Sequence, residues 1–173
     1  MEVISILPLS SREQWREWLE QHHADTSFCW IAVSMKPSNG TLLYLDAVEE
    51  ALCFGWIDGV KKKTVDGILA QRMSPRKRNS SWTELNKERV RRLEHLGQMT
   101  DAGRLVLPDM DIEHFAIDDE IMERLKHEPN GYAHFMAFPA LYRRIRIDTI
   151  QSVRHQPDVF ASRLDKFIEH TRE

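Results

Sequence analysis

The chain has 173 residues, 42% of them hydrophobic and 29% charged, with a formal net charge of −3. This is ordinary for a soluble globular protein, long enough for one domain with a helical appendage, and too weakly charged overall to argue for any partner. No stretch approaches the ~18 continuous apolar residues of a membrane-spanning helix. Charge is unevenly spread, however. Residues 60–92 hold eleven lysines and arginines against Asp66, Glu84 and Glu88, so the remainder of the chain is strongly acidic.

The N-terminal "MEVISILPLSSREQW" lacks a basic leader, and Pro8 breaks its short apolar stretch, so a signal peptide is not expected and the cytoplasm is the expected compartment. Ser10 or Ser11 can cap a first helix on which Trp15, Trp18 and Leu19 recur at helical spacing. "FCWIAVSM" (28–35) is a continuous apolar run that suits a central strand, and Pro37-Ser38-Asn39-Gly40 is a turn. Asp46 and Glu49 form a capping pair for a short helix, "DAVEEALCF", that stops at Gly55. Cys29 and Cys53, the only cysteines, sit in apolar runs and read as buried free thiols.

A hairpin signal follows. "WIDGVKKKTV" and "ILAQRMS" flank Asp66-Gly67, which suits a two-residue turn. That register sets Lys61 against Arg72, Lys63 against Ala70, Val60 against Met73 and Thr64 against Leu69, with a bulge near Asp58-Gly59. Next comes a basic helix ending at Gly97, capped either by a Ser81-to-Glu84 box or by Thr83. At 100° per residue, Trp82, Leu85, Val90, Leu93 and Leu96 share an apolar arc, while Lys87, Glu88, Arg91, Glu94 and His95 point away and Glu88 pairs with Arg92. Asn86 and Arg89 fall inside the apolar arc and therefore need partners.

A short helical piece is expected near "TDAGRLVL", then an acidic linker over 106–118. Helices are expected over about 118–127, 130–137, 139–153 and 157–171, the last two separated before Pro157. The expected class is α+β: a small antiparallel sheet of about three strands packed with helices (1–105), a linker, and a helical C-terminal segment (119–173). The eight histidines show no metal-ligand spacing, no nucleotide-binding or hydrolase motif is present, and neither cofactor nor metal is expected.

"YLDAVEEALCFGWIDG" (44–59), "RMSPRKRNSSWTELN" (72–86) and "LEHLGQMTDAG" (93–103) resemble the YdeI/OmpD-associated family, also labelled bacteriocin-protection proteins. Arg72, Ser74, Pro75, Arg76, Ser80, Trp82, Thr83 and Asn86 occupy the positions of its R-x-[ST]-P-R…S-x-W-[ST]-x-x-N pattern. "YRRIRIDTIQSVRHQPDVFASRLDKFIE" is similar to its closing helices, with departures around Ile150 and at Val153-Arg154. The resemblance implies no established reaction, only a loose association with stress and antimicrobial-peptide resistance.

Three functions compete. The first is a cytoplasmic binding protein that accepts a small anionic ligand in a polar pocket between hairpin and helix. Arg72, Arg76 and the helix N-terminus supply donors, Trp56 and Trp82 apolar walls, and Asp58 and Asn86 complete the lining. The second is nucleic-acid binding by the basic hairpin and the outer face of the helix. The third is an enzyme with Asp58 or Glu50 as acid/base, which no spacing demands.

Overall fold

The computed structural model describes residues 5–172. The chain divides into two compact units. The first takes the chain up to Ser81 together with Glu88–Pro108, and the second takes Trp82–Lys87 and the chain from Asp109 onward.

In the first unit, the expected central strand forms as β2 (Cys29–Ser34), with Cys29, Ile31 and Val33 buried on alternate positions. It pairs antiparallel with β5 (Leu69–Pro75), which pairs antiparallel with β4 (Trp56–Lys63). Two further two-residue strands, β1 (Ile6–Leu7) and β3 (Leu42–Leu43), lie parallel to β2. The sheet is therefore five-stranded and mixed, not a three-stranded antiparallel one. Strands of two residues carry no period-2 pattern, so nothing in the local sequence announced them.

Helix α1 (Arg12–His22) is capped by Ser11, whose hydroxyl accepts from the Gln14 N–H, and buries Trp15 and Leu19. Helix α2 (Tyr44–Cys53) starts two residues before the expected Asp46 cap. Its N-cap, Leu43, gives no side-chain cap, because β3 runs straight into the helix and leaves Asp46 in the first turn. Gly55, at φ +73°, ends it as expected. The core under the sheet holds Trp15, which stacks on Trp18 and meets Trp56 edge to face. Both buried indoles are satisfied: Trp15 Nε1 donates to the Ala47 carbonyl and Trp56 Nε1 to the His23 carbonyl.

Helix α3 (Glu84–His95) is capped by Thr83, whose hydroxyl accepts from the Asn86 N–H at 3.2 Å, which decides between the two capping options. Val90 and Leu93 are buried, but Leu85 and Leu96 are 40% and 53% exposed, so the apolar stripe is narrower than the sequence suggested. Helix α4 (Asp101–Arg104) is a single turn closed against the end of α2. Thr100 donates its hydroxyl and its N–H to the Cys53 carbonyl, and a Cβ on Gly103 would lie 2.2 Å from that same oxygen.

The second unit contains α5 (Asp119–His127), α6 (Gly131–Ala137), α7 (Ala140–Gln151) and α8 (Pro157–His170), close to the four expected helices. Ile121, Leu125, Phe135, Ile147, Phe160, Leu164 and Phe167 build their common core. Buried Glu84 receives Arg144 at 3.0 Å and Lys87 at 2.8 Å, and its N–H donates to Asp148. The expected acidic linker holds a 3-10 turn, Ile112–His114, capped by Asp111. No helix among the described residues is long and apolar enough to cross a membrane.

Candidate functional site

The hairpin decides which side chains meet. Thr64 N–H donates to the Ile68 carbonyl and Gly67, at φ +79°, follows Val65 and Asp66, so the loop has three residues and not two. The register moves by one: Lys61 faces Gln71, Lys62 faces Ala70 and Lys63 faces Leu69. The expected Lys61–Arg72, Lys63–Ala70 and Thr64–Leu69 pairings are therefore replaced. Asp58 faces Met73 where Val60 was expected, because Gly59 and Val60 form a bulge opposite the single residue Arg72. A strand alternates faces, and the extra residue restores Lys61 to the face that carries Asp58.

On that face α2 begins, and Tyr44 in its first turn donates its hydroxyl to Asp58 Oδ2 at 2.6 Å. Lys61 Nζ lies 3.9 Å above the Tyr44 ring. Burial, followed by the bond to Asp58, pushes the Tyr44 hydroxyl far above its usual pKa, and the charge of Arg89 opposes that shift. Arg76 leaves β5 beside the same corner. Its N–H donates to the Gly55 carbonyl, and Nη1 donates to Ser80 Oγ and the Ser81 carbonyl. Only 5% of Arg76 is exposed, and burial pushes its pKa down to about 10 against the supporting charge of Asp58. The charge of Asp58 thus acts on Arg76, while Lys61 and the charge of Arg89 act on Tyr44, which engages that carboxylate.

Of the six residues named from the sequence, Asp58 and Arg76 come together in this corner. Trp56 is 1% exposed and belongs to the tryptophan core. Arg72 points to the opposite face of the sheet, with its guanidinium 4.4 Å from the Phe28 ring centre. Trp82 and Asn86 belong to the second unit, and neither is without a partner. Sequence reasoning missed Tyr44 and Lys61. Tyr44 stands at the head of the very motif that was singled out, but only the bulge count reveals what its hydroxyl reaches. Arg89 was recognised as needing a partner but not as a member of this group.

A second charged constellation joins α1, α2 and α3. Arg12 reaches Asp46, Glu49 and Glu50 at 3.0, 3.2 and 2.6 Å, Arg16 reaches Glu50 at 2.8 Å, and Arg92 pairs with Glu49. The expected Glu88–Arg92 pair does not form; Arg91 takes Glu88 instead, at 2.9 Å. Adjacent Glu49 and Glu50, which helix geometry sets about 100° apart, both reach the one long guanidinium of Arg12. The basic helix therefore spends Lys87, Arg91 and Arg92 on carboxylates. In the second unit, a shallow depression along α5 and α8 is lined by Arg124, Lys166 and Arg172 among Asp158, Asp165 and Glu169. Its charges balance, and no sequence-predicted residue lies in it.

Residues 7–106 match the family described as Domain of unknown function (DUF8412). The chain belongs to that family. Residues 114–173 match the family described as Bacteriocin-protection, YdeI or OmpD-Associated, so the YdeI/OmpD-associated resemblance stands. Its location differs from expectation: the motifs over 44–103 lie in the first match, while the YdeI/OmpD-associated match falls on the C-terminal helices, where departures were noted. No curated protein and no solved structure matches the chain.

Proposed function

We propose that this chain is a cytoplasmic binding protein whose first unit accepts a small anionic group at the corner formed by Tyr44, Asp58, Lys61, Arg76 and Arg89. The protective role suggested by the description of its C-terminal match then becomes the setting in which that binding acts. The observation that carries the reading is Arg76: a guanidinium only 5% exposed, kept charged at a cost that burial imposes. An anion beside it returns the lost solvation, and Lys61 and Arg89 make the local balance favourable to negative charge. Asp58 and Tyr44 set the orientation, the tyrosine hydroxyl serving as hinge between the carboxylate and the incoming group. Trp56 supplies rigidity from the core below.

The test is thermal denaturation in inorganic phosphate against chloride of matched ionic strength. Phosphate is expected to raise the wild-type melting temperature, and a concentration of about 100 times the dissociation constant stabilises by about 2.7 kcal/mol. Arg76→Met abolishes that increment, at a cost of about 1–3 kcal/mol to the empty protein from the lost bonds to Ser80 and Ser81. If Arg76→Met unfolds readily and phosphate leaves the wild type unmoved, the cluster is scaffolding and the reading is wrong.

A further inference from the structure

The β4–β5 hairpin ends in a loop that is apolar where turns are ordinarily built from Gly, Pro, Asn, Asp and Ser. Val65 sits in the loop 75% exposed, and Ile68 closes it 43% exposed. The Ile68 N–H donates to Thr64 Oγ1 at 3.1 Å and the Thr64 N–H donates back to the Ile68 carbonyl, so both aliphatic side chains are presented on a closed turn. A second loop lies at the same end of the sheet. β2 runs antiparallel to β5 with Ala32 against Ala70, and it ends at Ser34 as β5 begins at Leu69. Met35 follows, 58% exposed, and Lys61 of the hairpin donates to its sulfur at 3.9 Å. Exposed Lys36 comes next, before the turn that the Ser38–Thr41 bridge closes.

Lys63 stands two residues behind Val65, about 7 Å along a strand. It lays its stem along the turn, 3.8 Å from where a Cβ on Gly67 would stand. Among the described residues no carboxylate pairs with Lys36 or Lys63, whereas Lys87, Arg91 and Arg92 of the basic helix are all held by acids. Asp66 is the single carboxylate between residues 60 and 72.

We propose that this end of the sheet docks on an anionic phospholipid surface, with Val65 and Ile68 entering the boundary between headgroups and acyl chains and Lys36 and Lys63 on the lipid phosphates. Two features select that partner. Exposed aliphatic side chains gain by leaving water for acyl chain, and a polyanion dissolved in water offers them nothing comparable. The boundary layer is about 5–10 Å deep, which matches the step from Val65 back to Lys63, so the loop can be buried while the ammonium stays among the phosphates. Neither part suffices alone, because reversible docking becomes firm only when an apolar insertion and a basic contact act together. The inference is independent of the anion corner, since it uses neither Asp58 nor Arg76.

Co-sedimentation of the whole chain with vesicles tests it, comparing phosphatidylcholine alone with a mixture rich in phosphatidylglycerol. Binding is expected to the anionic vesicles only, and it should fall with salt as the surface potential is screened. Lys63→Gln weakens it about fivefold, one lysine's share at such a surface. Val65→Ser weakens it about tenfold and leaves the salt dependence unchanged. Asp66→Asn suits the turn equally and removes a like charge, so it strengthens binding. All three side chains are exposed, and melting curves that coincide with the wild type show that the changes are not misfolding. A polarity-sensitive fluorophore on Val65→Cys, selective because Cys29 and Cys53 are buried, shifts to the blue on anionic vesicles. The proposal is overturned if anionic vesicles do not bind, if Val65→Ser binds like wild type, if the fluorophore stays in water, or if an oligonucleotide binds and the vesicles do not.

Discussion

Glu50→Gln probes the charged joint between α1 and α2 most directly. The carboxylate is 2% exposed and takes Arg12 Nε at 2.6 Å on one oxygen and Arg16 Nη1 at 2.8 Å on the other. Removing one member of a buried ion pair costs about 3–5 kcal/mol when the survivor stays dry. Here the surviving guanidiniums are 29% and 31% exposed, and Arg12 keeps Asp46 and Glu49, so water and the remaining acids recover part of the loss. The expected cost is therefore about 2–3 kcal/mol, the range of a hydrogen bond to a charged group. Urea unfolding followed by tryptophan fluorescence reads it, since Trp15, Trp18, Trp30 and Trp56 all lie in the first unit. The midpoint should fall by about 1–2 M. Glu94→Gln is the matched control: its partner Arg104 is 43% exposed and Glu94 46%, so its loss should stay below about 1 kcal/mol. A Glu50→Gln loss no larger than the control, or one erased by about 1 M salt, would refute the view that this joint is buried and structural.

Two further expectations follow from packing and burial. Burial pushes the Cys29 thiol up to about 12 and the Cys53 thiol up to about 11, so neither should react with a disulfide reagent at about pH 8 until urea unfolds the chain; reaction of the native protein would contradict their burial. Gly103→Ala forces a methyl to within 2.2 Å of the Cys53 carbonyl, a backbone atom that cannot swing aside, and should cost about 1–3 kcal/mol or more in urea unfolding. A neutral Gly103→Ala would mean that α4 is free to move off the end of α2.

Helices were the legible part of this protein. Ser11, Gly55 and Pro157 mark helix ends through side-chain bonds and backbone angles that act within one turn, so the sequence could place them. The C-terminal helices, the central strand β2 and the existence of the β4–β5 hairpin were determined in the same local way. The tertiary structure decided what depends on counting across strands. One extra loop residue and the Gly59-Val60 bulge shift the register and bring Lys61 to the face of Asp58 and over Tyr44, while Arg72 keeps the face opposite Met73 that strand alternation gives it. Side-chain period in a strand is two, so a miscount of one residue reverses every assignment of face, and no local signal corrects it. The same holds for β1 and β3, which exist because β2 offers them an edge, and for Glu49 and Glu50. Helix geometry alone sends those two carboxylates apart, and the length of an arginine from another helix reunites them.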